Sequence, residues 1–326
     1  MATETIKRPR SKRSRRTTPN CLLCDWADTK LFRTGIREDT TRPVYICSRC
    51  QLRFLKPPKG DLRDYYRTEY RLTHDHVTDK VLTPEERFQV QRPLMNKRES
   101  FFREHVPKGA MVLEIGCSAG AFLDTIQNDY SVFGNEWNPE DAAFVRDIGE
   151  LPCEEGDLDD VYPGQQFTAI CAYHVLEHQP DPIAWLRKVK SRLIGGGWLI
   201  LELPNAEDAL VGLYDIPAFR DRWYQESHIS YFSLSNLAAA LAFVGFEAKV
   251  TTRQEYGMLN HTNWFNKGGP MDVHEARSFA HPVPESHPAE GILNRWWAQR
   301  DQEYRVMLET IKAGNILVGI GQRREI

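Results

Sequence analysis

The chain has 326 residues, of which 41% are hydrophobic and 27% are charged, as in a globular protein of one large domain or two ordinary ones. Its apolar runs stay well short of the roughly 20 residues of a membrane span, and no signal peptide follows the first residue. We therefore expect neither a membrane protein nor a secreted one. The odd number of cysteines, seven, favours a reducing compartment, and the predicted location is cytoplasmic.

The first segment is basic, although the whole chain has a formal net charge of −3. Residues 7–16 carry seven positive charges, so the rest of the chain is acidic. Such a run cannot build a core, and residues 1–18 are predicted to form a disordered tail. The tail is either a solvated segment or a contact for nucleic acid or nuclear import, because all of these share the same electrostatics.

A zinc ribbon is predicted at residues 19–58. Two Cys-x-x-Cys pairs are separated by 22 residues, and their thiolates belong to Cys21, Cys24, Cys47 and Cys50. Each pair can present two sulfurs to one point about 2.3 Å away, and four thiolates complete a tetrahedron with no open position. The pattern therefore indicates a structural zinc ion, which replaces the core that so short a segment lacks.

Residues 59–100 are predicted to be a linker with a helical part at the mouth of a substrate site. Two prolines, Pro57 and Pro58, end the ribbon. In the tyrosine-rich run that follows, Tyr66 and Tyr70 are candidates either for packing or for lining the substrate mouth. Residues 84–106 show a helical pattern that is broken at Pro93.

Short apolar runs alternate with helical patterns from residue 111 onward. The predicted strands are 111–115, 131–136, 167–172 and 198–203, with helices at 142–148 and 182–193. This alternation predicts an α/β fold with a doubly wound parallel sheet over residues 101–326. In such sheets, ligands bind beyond the carboxyl ends of the strands.

The last part of the chain is predicted to complete the sheet. Strands at 247–252 and 315–321 bring the predicted number to seven. Residues 257–291 have no clear period, which predicts an irregular insert that acts as a lid or substrate loop. A core-facing helical stripe is predicted at Leu293, Trp297, Tyr304, Leu308 and Ile311.

A glycine turn, Gly116–Gly120, follows the strand at 111–115 and opens a helix. It departs from the dinucleotide fingerprint, because Ser118 stands where a second glycine is needed, and it lacks the lysine of a phosphate loop. Two carboxylates follow at the ends of the next strands. Glu136 can accept both hydroxyls of a ribose, and Asp157 is placed to accept from an adenine amino group.

In chain order, the stretches LEIGCSAG, NEW, GDL, HVLEHQPDP and LILELPN resemble the motifs of class I S-adenosylmethionine-dependent methyltransferases. The resemblance covers residues 100–326 and implies a Rossmann-like seven-stranded sheet with S-adenosylmethionine as cofactor. The ribbon and the YYxxEY run are similar to the N-terminal two-thirds of deoxysugar C-methyltransferases. The Tyr-x-Glu-His segment of those enzymes is matched here only by His228, which disfavours carbon methylation.

The resemblance implies a role for each motif residue. The backbone of Gly116–Gly120 would hold the methionine part, and Glu114 would organise that loop or meet the ammonium. Glu136 would bind the ribose, Trp137 would flank the adenine and Asp157 would fix the base. The implied cofactor-binding set is Glu114, Gly116, Cys117, Ser118, Gly120, Glu136, Trp137, Asp157, Leu158 and His174.

Methyl transfer to a hydroxyl requires the removal of a proton, for which a histidine is suited near neutral pH. His178 is the predicted base, because the resemblance places a functional histidine there; the structural alternative is a cap of the following turn. His228 is the second predicted catalytic residue. His228 and Tyr231 are candidates either for binding the substrate or for packing.

These features predict a methyltransferase that acts on a small-molecule acceptor of sugar-like, nucleotide-linked or natural-product type, at oxygen. Two other functions stay open. An RNA methyltransferase would hold RNA with its ribbon and basic tail, although the acidic body offers little affinity for phosphate. A non-catalytic binding module would use the same two parts to recruit a partner, although the intact cofactor carboxylates disfavour it.

Overall fold

The computed structural model describes residues 18–58, 62–71, 81–271 and 286–325. The predicted basic tail therefore lies outside the described residues, except for its last residue. Parts of the predicted linker and of the predicted insert also lie outside them. In the described ranges, no helix has both the length and the apolar character needed to cross a membrane.

The described strands belong to two sheets. In chain order they are β1 (Thr29–Thr34), β2 (Pro43–Cys47), β3 (Arg53–Leu55), β4 (Met111–Ile115), β5 (Ser131–Glu136), β6 (Cys153–Glu155), β7 (Phe167–Tyr173), β8 (Leu193–Pro204), β9 (Ser230–Tyr231), β10 (Phe246–Arg253) and β11 (Ile316–Arg323). Over the described residues, the larger sheet has seven strands in the order β10-β11-β8-β7-β4-β5-β6. Only β11 runs antiparallel to its neighbours there, which confirms the doubly wound fold.

Helices cover both faces of this sheet. They are α1 (Leu62–Asp64), α2 (Pro84–Gln91), α3 (Asn96–Arg103), α4 (Ala121–Ile126), α5 (Pro139–Asp147), α6 (Pro182–Ser191), α7 (Pro217–Trp223), α8 (Leu234–Val244), α9 (Met258–Lys267) and α10 (Glu290–Thr310). Apolar residues of α3, α4 and α5 form one core with one face of the strands. Residues of α6 and α8 form the core on the opposite face, because side chains alternate along each strand. Ser233 caps α8, since its Oγ accepts from Asn236 N in a capping box.

The ribbon is joined to the rest of the molecule. Strands β1, β2 and β3 form an antiparallel meander, and β9 extends it as the last strand of the smaller sheet. The backbone N–H of Leu55 donates to Ile229 O at 2.8 Å. Leu52 and Phe54 are fully buried in the core that contains α6 and α8. The ribbon predicted at 19–58 therefore forms one sheet with β9. It also shares a hydrophobic core with α6 and α8, which pack on the larger sheet.

Two predictions for the last part of the chain are wrong in part. The insert at 257–291 was expected to be irregular, yet its first part is the ten-residue helix α9, between Gly257 and a left-handed Gly268. Residues 272–285 of the insert lie outside the described residues. The predicted apolar stripe is also not a core face throughout, since Leu293 is 42% and Ile311 is 54% exposed. The buried side of α10 is largely polar, because Asp301 pairs with Arg305 at 2.7 Å and accepts from Met258 N.

Candidate functional site

One cavity of about 600 Å³ lies at the carboxyl ends of the parallel strands. It collects side chains that follow β4, β5, β6 and β7, as expected for a doubly wound sheet. The predicted site residues that line it are Tyr66, Tyr70, Glu114, Gly116, Cys117, Ser118, Glu136, Trp137, Asp157, Leu158, His174 and His178. Gly120, His228 and Tyr231 do not line it among the described residues.

The glycine turn after β4 is held in left-handed conformations. Gly116 has φ +70°, and a Cβ there would lie 2.8 Å from a methyl of Val175, so only glycine fits. Ser118 has φ +51°, and its backbone N–H donates to Glu136 Oε2 at 2.8 Å. Gly120 begins α4 behind the turn. This geometry leaves bare backbone beside the cavity at the start of a helix.

Three of the carboxylates that line the cavity, Glu114, Glu136 and Asp157, lie in different environments. Burial raises the pKa of Glu114 to about 8, and its Oε2 has no hydrogen-bond partner. Glu136 accepts from Ser118 N at 2.8 Å and from Asn138 N at 2.9 Å. Asp157 Oδ1 accepts from Leu158 N at 2.7 Å. A cationic group of a ligand would therefore supply the partner that Glu114 Oε2 lacks.

Aromatic residues from the segment before α2 cover the cavity. The ring of Tyr66 lies 5.5 Å from Trp137 and 5.6 Å from His178, and the ring of Tyr70 lies 5.8 Å from His178. Burial raises the pKa of both tyrosines, so their hydroxyls stay protonated. Arg71 anchors the segment, because it pairs with Asp141 at 2.6 Å and donates to Ser118 Oγ at 3.0 Å.

The histidines after β7 differ in what their nitrogens contact. His178 Nδ1 lies 2.7 Å from the carbonyl of Ser227 and donates to it, which leaves Nε2 as the basic nitrogen. That nitrogen faces Glu177 Oε1 at 3.9 Å, and burial lowers the pKa of His178. His174 lines the cavity, and its Nδ1 lies 3.3 Å from the same Glu177 oxygen.

The loop between α7 and β9 carries the other two predicted substrate residues. His228 Nε2 lies 2.6 Å from the side-chain nitrogen of Gln225, and its ring centroid lies 5.0 Å from that of His178. Tyr231 is buried, and its hydroxyl donates to Gln225 O and accepts from Gln225 N. The structure therefore places Tyr231 in the core and His228 behind His178.

Sequence analysis missed a charged network on the other side of the cavity. Arg98 and Arg253 lie 2.8 and 2.7 Å from the carboxylate of Glu202, and both arginines line the cavity. Burial alone would raise the pKa of Glu202, but the two arginines lower it to about 2. Arg98 also lies 4.0 Å from the ring centre of Tyr173. The sequence did contain one signal for this network, because Glu202 is a charged residue inside the apolar strand LILELP. A charge buried in such a strand requires a partner of opposite charge.

Two clusters in the described residues have the composition of metal sites. The sulfurs of Cys21, Cys24, Cys47 and Cys50 all lie within 4.8 Å of one another, and three of the pairs are 3.5–3.6 Å apart. Four thiolates around a zinc ion at about 2.3 Å would be about 3.8 Å apart, so this set fits zinc. Backbone N–H groups of Leu23 and Arg49 donate to Cys21 and Cys47, as in a knuckle. The second cluster, Glu177, His178 and His228, is looser, with ligand atoms within 4.8 Å.

The sheet order, the glycine turn and the carboxylates after β4, β5 and β6 together define a class I S-adenosylmethionine-dependent methyltransferase. Residues 87–250, half of the chain, match the family model described as a methyltransferase domain. The chain therefore belongs to that methyltransferase family. Among curated proteins, none matches the sequence.

Solved structures are similar to this chain at low identity. A SAM-dependent methyltransferase from Archaeoglobus fulgidus is 18% identical, covers 73% of this chain and 97% of its own, and gives a TM-score of 0.46. A possible histamine N-methyltransferase from Thermotoga maritima is 17% identical over 73% and 99% of the two chains, with a TM-score of 0.43. A magnesium protoporphyrin IX methyltransferase from Synechocystis is 14% identical over 59% and 91%, with a TM-score of 0.45. The family match, rather than these distant structures, identifies the chain.

Proposed function

We propose that the protein methylates an oxygen of a small-molecule acceptor of sugar-like, nucleotide-linked or natural-product type. The observation that carries this proposal is the covered cavity of about 600 Å³. Small-molecule sites have volumes of about 300–1,000 Å³, and this one must hold the cofactor and the reacting part of the acceptor together. Tyr66 and Tyr70 further restrict the opening, which suits a small acceptor group better than a folded RNA.

The cofactor set proposed from the motifs agrees with the shape and charge of the cavity. The unpartnered oxygen of Glu114 suits the ammonium of S-adenosylmethionine, and the turn at Gly116 allows close approach of the methionine part. Glu136 would bind the ribose hydroxyls, and Trp137 with Asp157 and Leu158 would enclose the adenine. When bound, the cofactor supplies an electrophilic methyl group. The chain's own task is then to align the acceptor, exclude water and accept a proton.

Methylation at oxygen is supported by the imidazoles beside the cavity. A hydroxyl must lose its proton as it attacks, and a histidine can take it near neutral pH. We assign Tyr66 and Tyr70 to the acceptor side, because their rings cover the cavity beside His178. Tyr231 is assigned to packing, since both of its hydroxyl contacts are to the backbone of Gln225.

A structural zinc ion in the ribbon is the second part of the proposal. Burial raises the pKa of Cys24 to about 11, and the hydrogen bond with Cys50, together with burial, raises that of Cys21, so a divalent cation is needed to hold these groups as thiolates. Cys21, Cys24, Cys47 and Cys50 would bind it without an open position, which gives a structural ion rather than a catalytic one.

The test is a screen with methyl-labelled S-adenosylmethionine against small hydroxyl compounds, amines and total RNA in parallel. The proposal expects label in low-mass hydroxyl compounds. Label only in RNA would favour the RNA methyltransferase, for which the ribbon and the basic tail are the candidate contacts. Failure of calorimetry to detect binding of S-adenosylhomocysteine would favour the non-catalytic module.

A further inference from the structure

Glu177 is a buried carboxylate whose purpose the cofactor motifs do not explain. It is 1% exposed, and neither of its oxygens has a hydrogen-bond partner. Its Oε1 lies 3.3 Å from His174 Nδ1 and 3.9 Å from His178 Nε2. His228 lies within 4.8 Å of it, and the charge of Glu177 adds to the effect of burial in raising the pKa of Tyr66 and Tyr70. A carboxylate without a partner is costly to bury, so its place beside these imidazoles indicates a function.

His174 is the histidine that is open to the cavity. Its side chain is 39% exposed, and no described group bonds to its Nε2. Its backbone is fixed, because φ is +60° and its N–H donates to Glu202 O at 2.7 Å. A residue other than glycine in the left-handed region is strained, and such strain is typical of functional sites. The ring is therefore held between a buried carboxylate and the space for the acceptor.

The other two histidines are less open to that space. His178 lines the cavity but is only 6% exposed, and because its Nδ1–H donates to Ser227 O, its basic nitrogen lies 3.9 Å from Glu177. His228 lies behind His178, outside the cavity lining of the described residues, and contacts Gln225. Both contact the loop that follows α7, so His174 is the most accessible of the three imidazoles.

We propose that His174 is the catalytic base of the methyl transfer and that Glu177 is the positioning residue behind it. This inference rests on the proposed function and gives His174 the role that sequence analysis predicted for His178. The acceptor oxygen forms its new bond to the methyl carbon while its proton passes to His174 Nε2. The electron pair of the broken carbon–sulfur bond stays on the sulfur. Glu177 accepts Nδ1–H and balances the charge of the imidazolium, which later releases its proton to solvent.

The decisive variant is His174→Ala, assayed with labelled S-adenosylmethionine and the hydroxyl acceptor that the screen identifies. We expect kcat to fall by about 100- to 10,000-fold, as for loss of a general base. The dissociation constant of S-adenosylhomocysteine, measured by calorimetry, should stay within about threefold. Added imidazole should restore part of the activity of His174→Ala. It should not restore His178→Ala, because that ring is expected to hold the loop through Ser227 O rather than to accept the proton.

Glu177 is tested by two variants that differ in charge. Glu177→Gln should lower kcat by about 10- to 100-fold at unchanged KM, whereas Glu177→Asp keeps the carboxylate and should lose less. A purely structural role predicts the reverse, since glutamine preserves the shape better than aspartate. The melting temperature of each variant checks that it is folded.

Three results would overturn the inference. Undiminished kcat with weakened binding of S-adenosylhomocysteine would make His174 a cofactor contact, as the motif resemblance implies. Rescue of His178→Ala by imidazole would make His178 the base. Equal losses of kcat in Glu177→Gln and Glu177→Asp would show that the negative charge of Glu177 does not contribute to the reaction. Failure of the proposed function is a different result, since the wild-type protein would then label no hydroxyl compound.

Discussion

The two sides of the cavity are built in different ways. The side that we propose binds the cofactor comes from one continuous stretch, residues 114–158, in which each functional group lies at or just after the carboxyl end of a strand. The histidine side needs segments far apart in sequence: His178 donates to Ser227, the loop of Ser227 ends in β9, and β9 pairs with β3 of the ribbon. The first side follows from local motifs, whereas the second exists only after the whole chain has folded.

The ribbon supports the histidine side through several contacts. Arg53 donates to Ala206 O at 3.0 Å and to the hydroxyl of Tyr224 at 3.3 Å. The backbone N–H of Arg37 donates to Tyr224 O at 2.7 Å, and Arg42 pairs with Glu226 at 3.4 Å. A module that appears separate in sequence therefore supports the histidine side, which we propose is catalytic, and the two sides are expected to respond differently to mutation.

Among the variants that compare the two sides, Cys47→Ala should have the largest effect. Loss of this buried sulfur should abolish the proposed zinc site and loosen β3 from β9, which moves the loop of Ser227 and His228. Displacement of catalytic groups by about 1 Å costs on the order of 100-fold in rate, and we expect a loss of that size in kcat. Affinity for S-adenosylhomocysteine should stay within about threefold, because its residues lie on the other side.

Zinc analysis, calorimetry and thermal unfolding check this prediction. Cys171→Ala is the matched control, since it removes a fully buried thiol from β7 without touching the ribbon. A parallel fall in turnover and in cofactor affinity would contradict the proposed difference between the two sides of the cavity, because both sides would then depend on the ribbon.

Glu136→Ala should act on the opposite side and have the next largest effect. Hydrogen bonds to a charged group contribute about 1.5–3 kcal/mol each, but Glu136 already accepts from two backbone amides before any ligand binds. We therefore expect the dissociation constant of S-adenosylhomocysteine to rise by about 10- to 100-fold, with kcat at saturating cofactor close to wild type. Glu140→Ala, an exposed neighbour at the start of α5, is the control. An unchanged dissociation constant would remove Glu136 from the site.

The cofactor half was predictable because its signals are local. Strands β4 and β5 begin and end at the predicted residues, and the carboxylate at the end of each faces the cavity as expected. A strand followed by a glycine turn encodes both the conformation and the position of the groups after it. Gly116 illustrates this, because its left-handed φ and its contact with Val175 both require glycine.

The other half was less predictable because its signals depend on partners. Arg98 in α3 and Glu202 in β8 are far apart in sequence. Their ion pair could not be predicted from either residue alone, because it depends on the contact between the helix and the strand. The buried side of α10 carries Asp301 and Arg305, so apolar spacing indicated the wrong face. His174 and His178 share one motif, and only the positions of Glu177 and the Ser227 carbonyl distinguish them.

The smallest predicted effect concerns Glu114 and sharpens the description of the cofactor side. Burial raises the pKa of Glu114 from 4.5 to about 8, so between these values the folded chain retains a proton that the unfolded chain releases. Rising pH over this range therefore lowers stability, whereas a bound ammonium favours the carboxylate and offsets part of the loss.

Binding of the ammonium to Glu114 then releases a proton, and affinity for S-adenosylhomocysteine should increase with pH. Between pH 6 and 7.5, where an α-amino group is still mostly charged, we expect about a three- to fivefold increase per pH unit, below the tenfold limit for one proton. Glu114→Gln should abolish this dependence while Glu140→Gln keeps it, and equal slopes in the two variants would exclude contact between Glu114 and the ammonium.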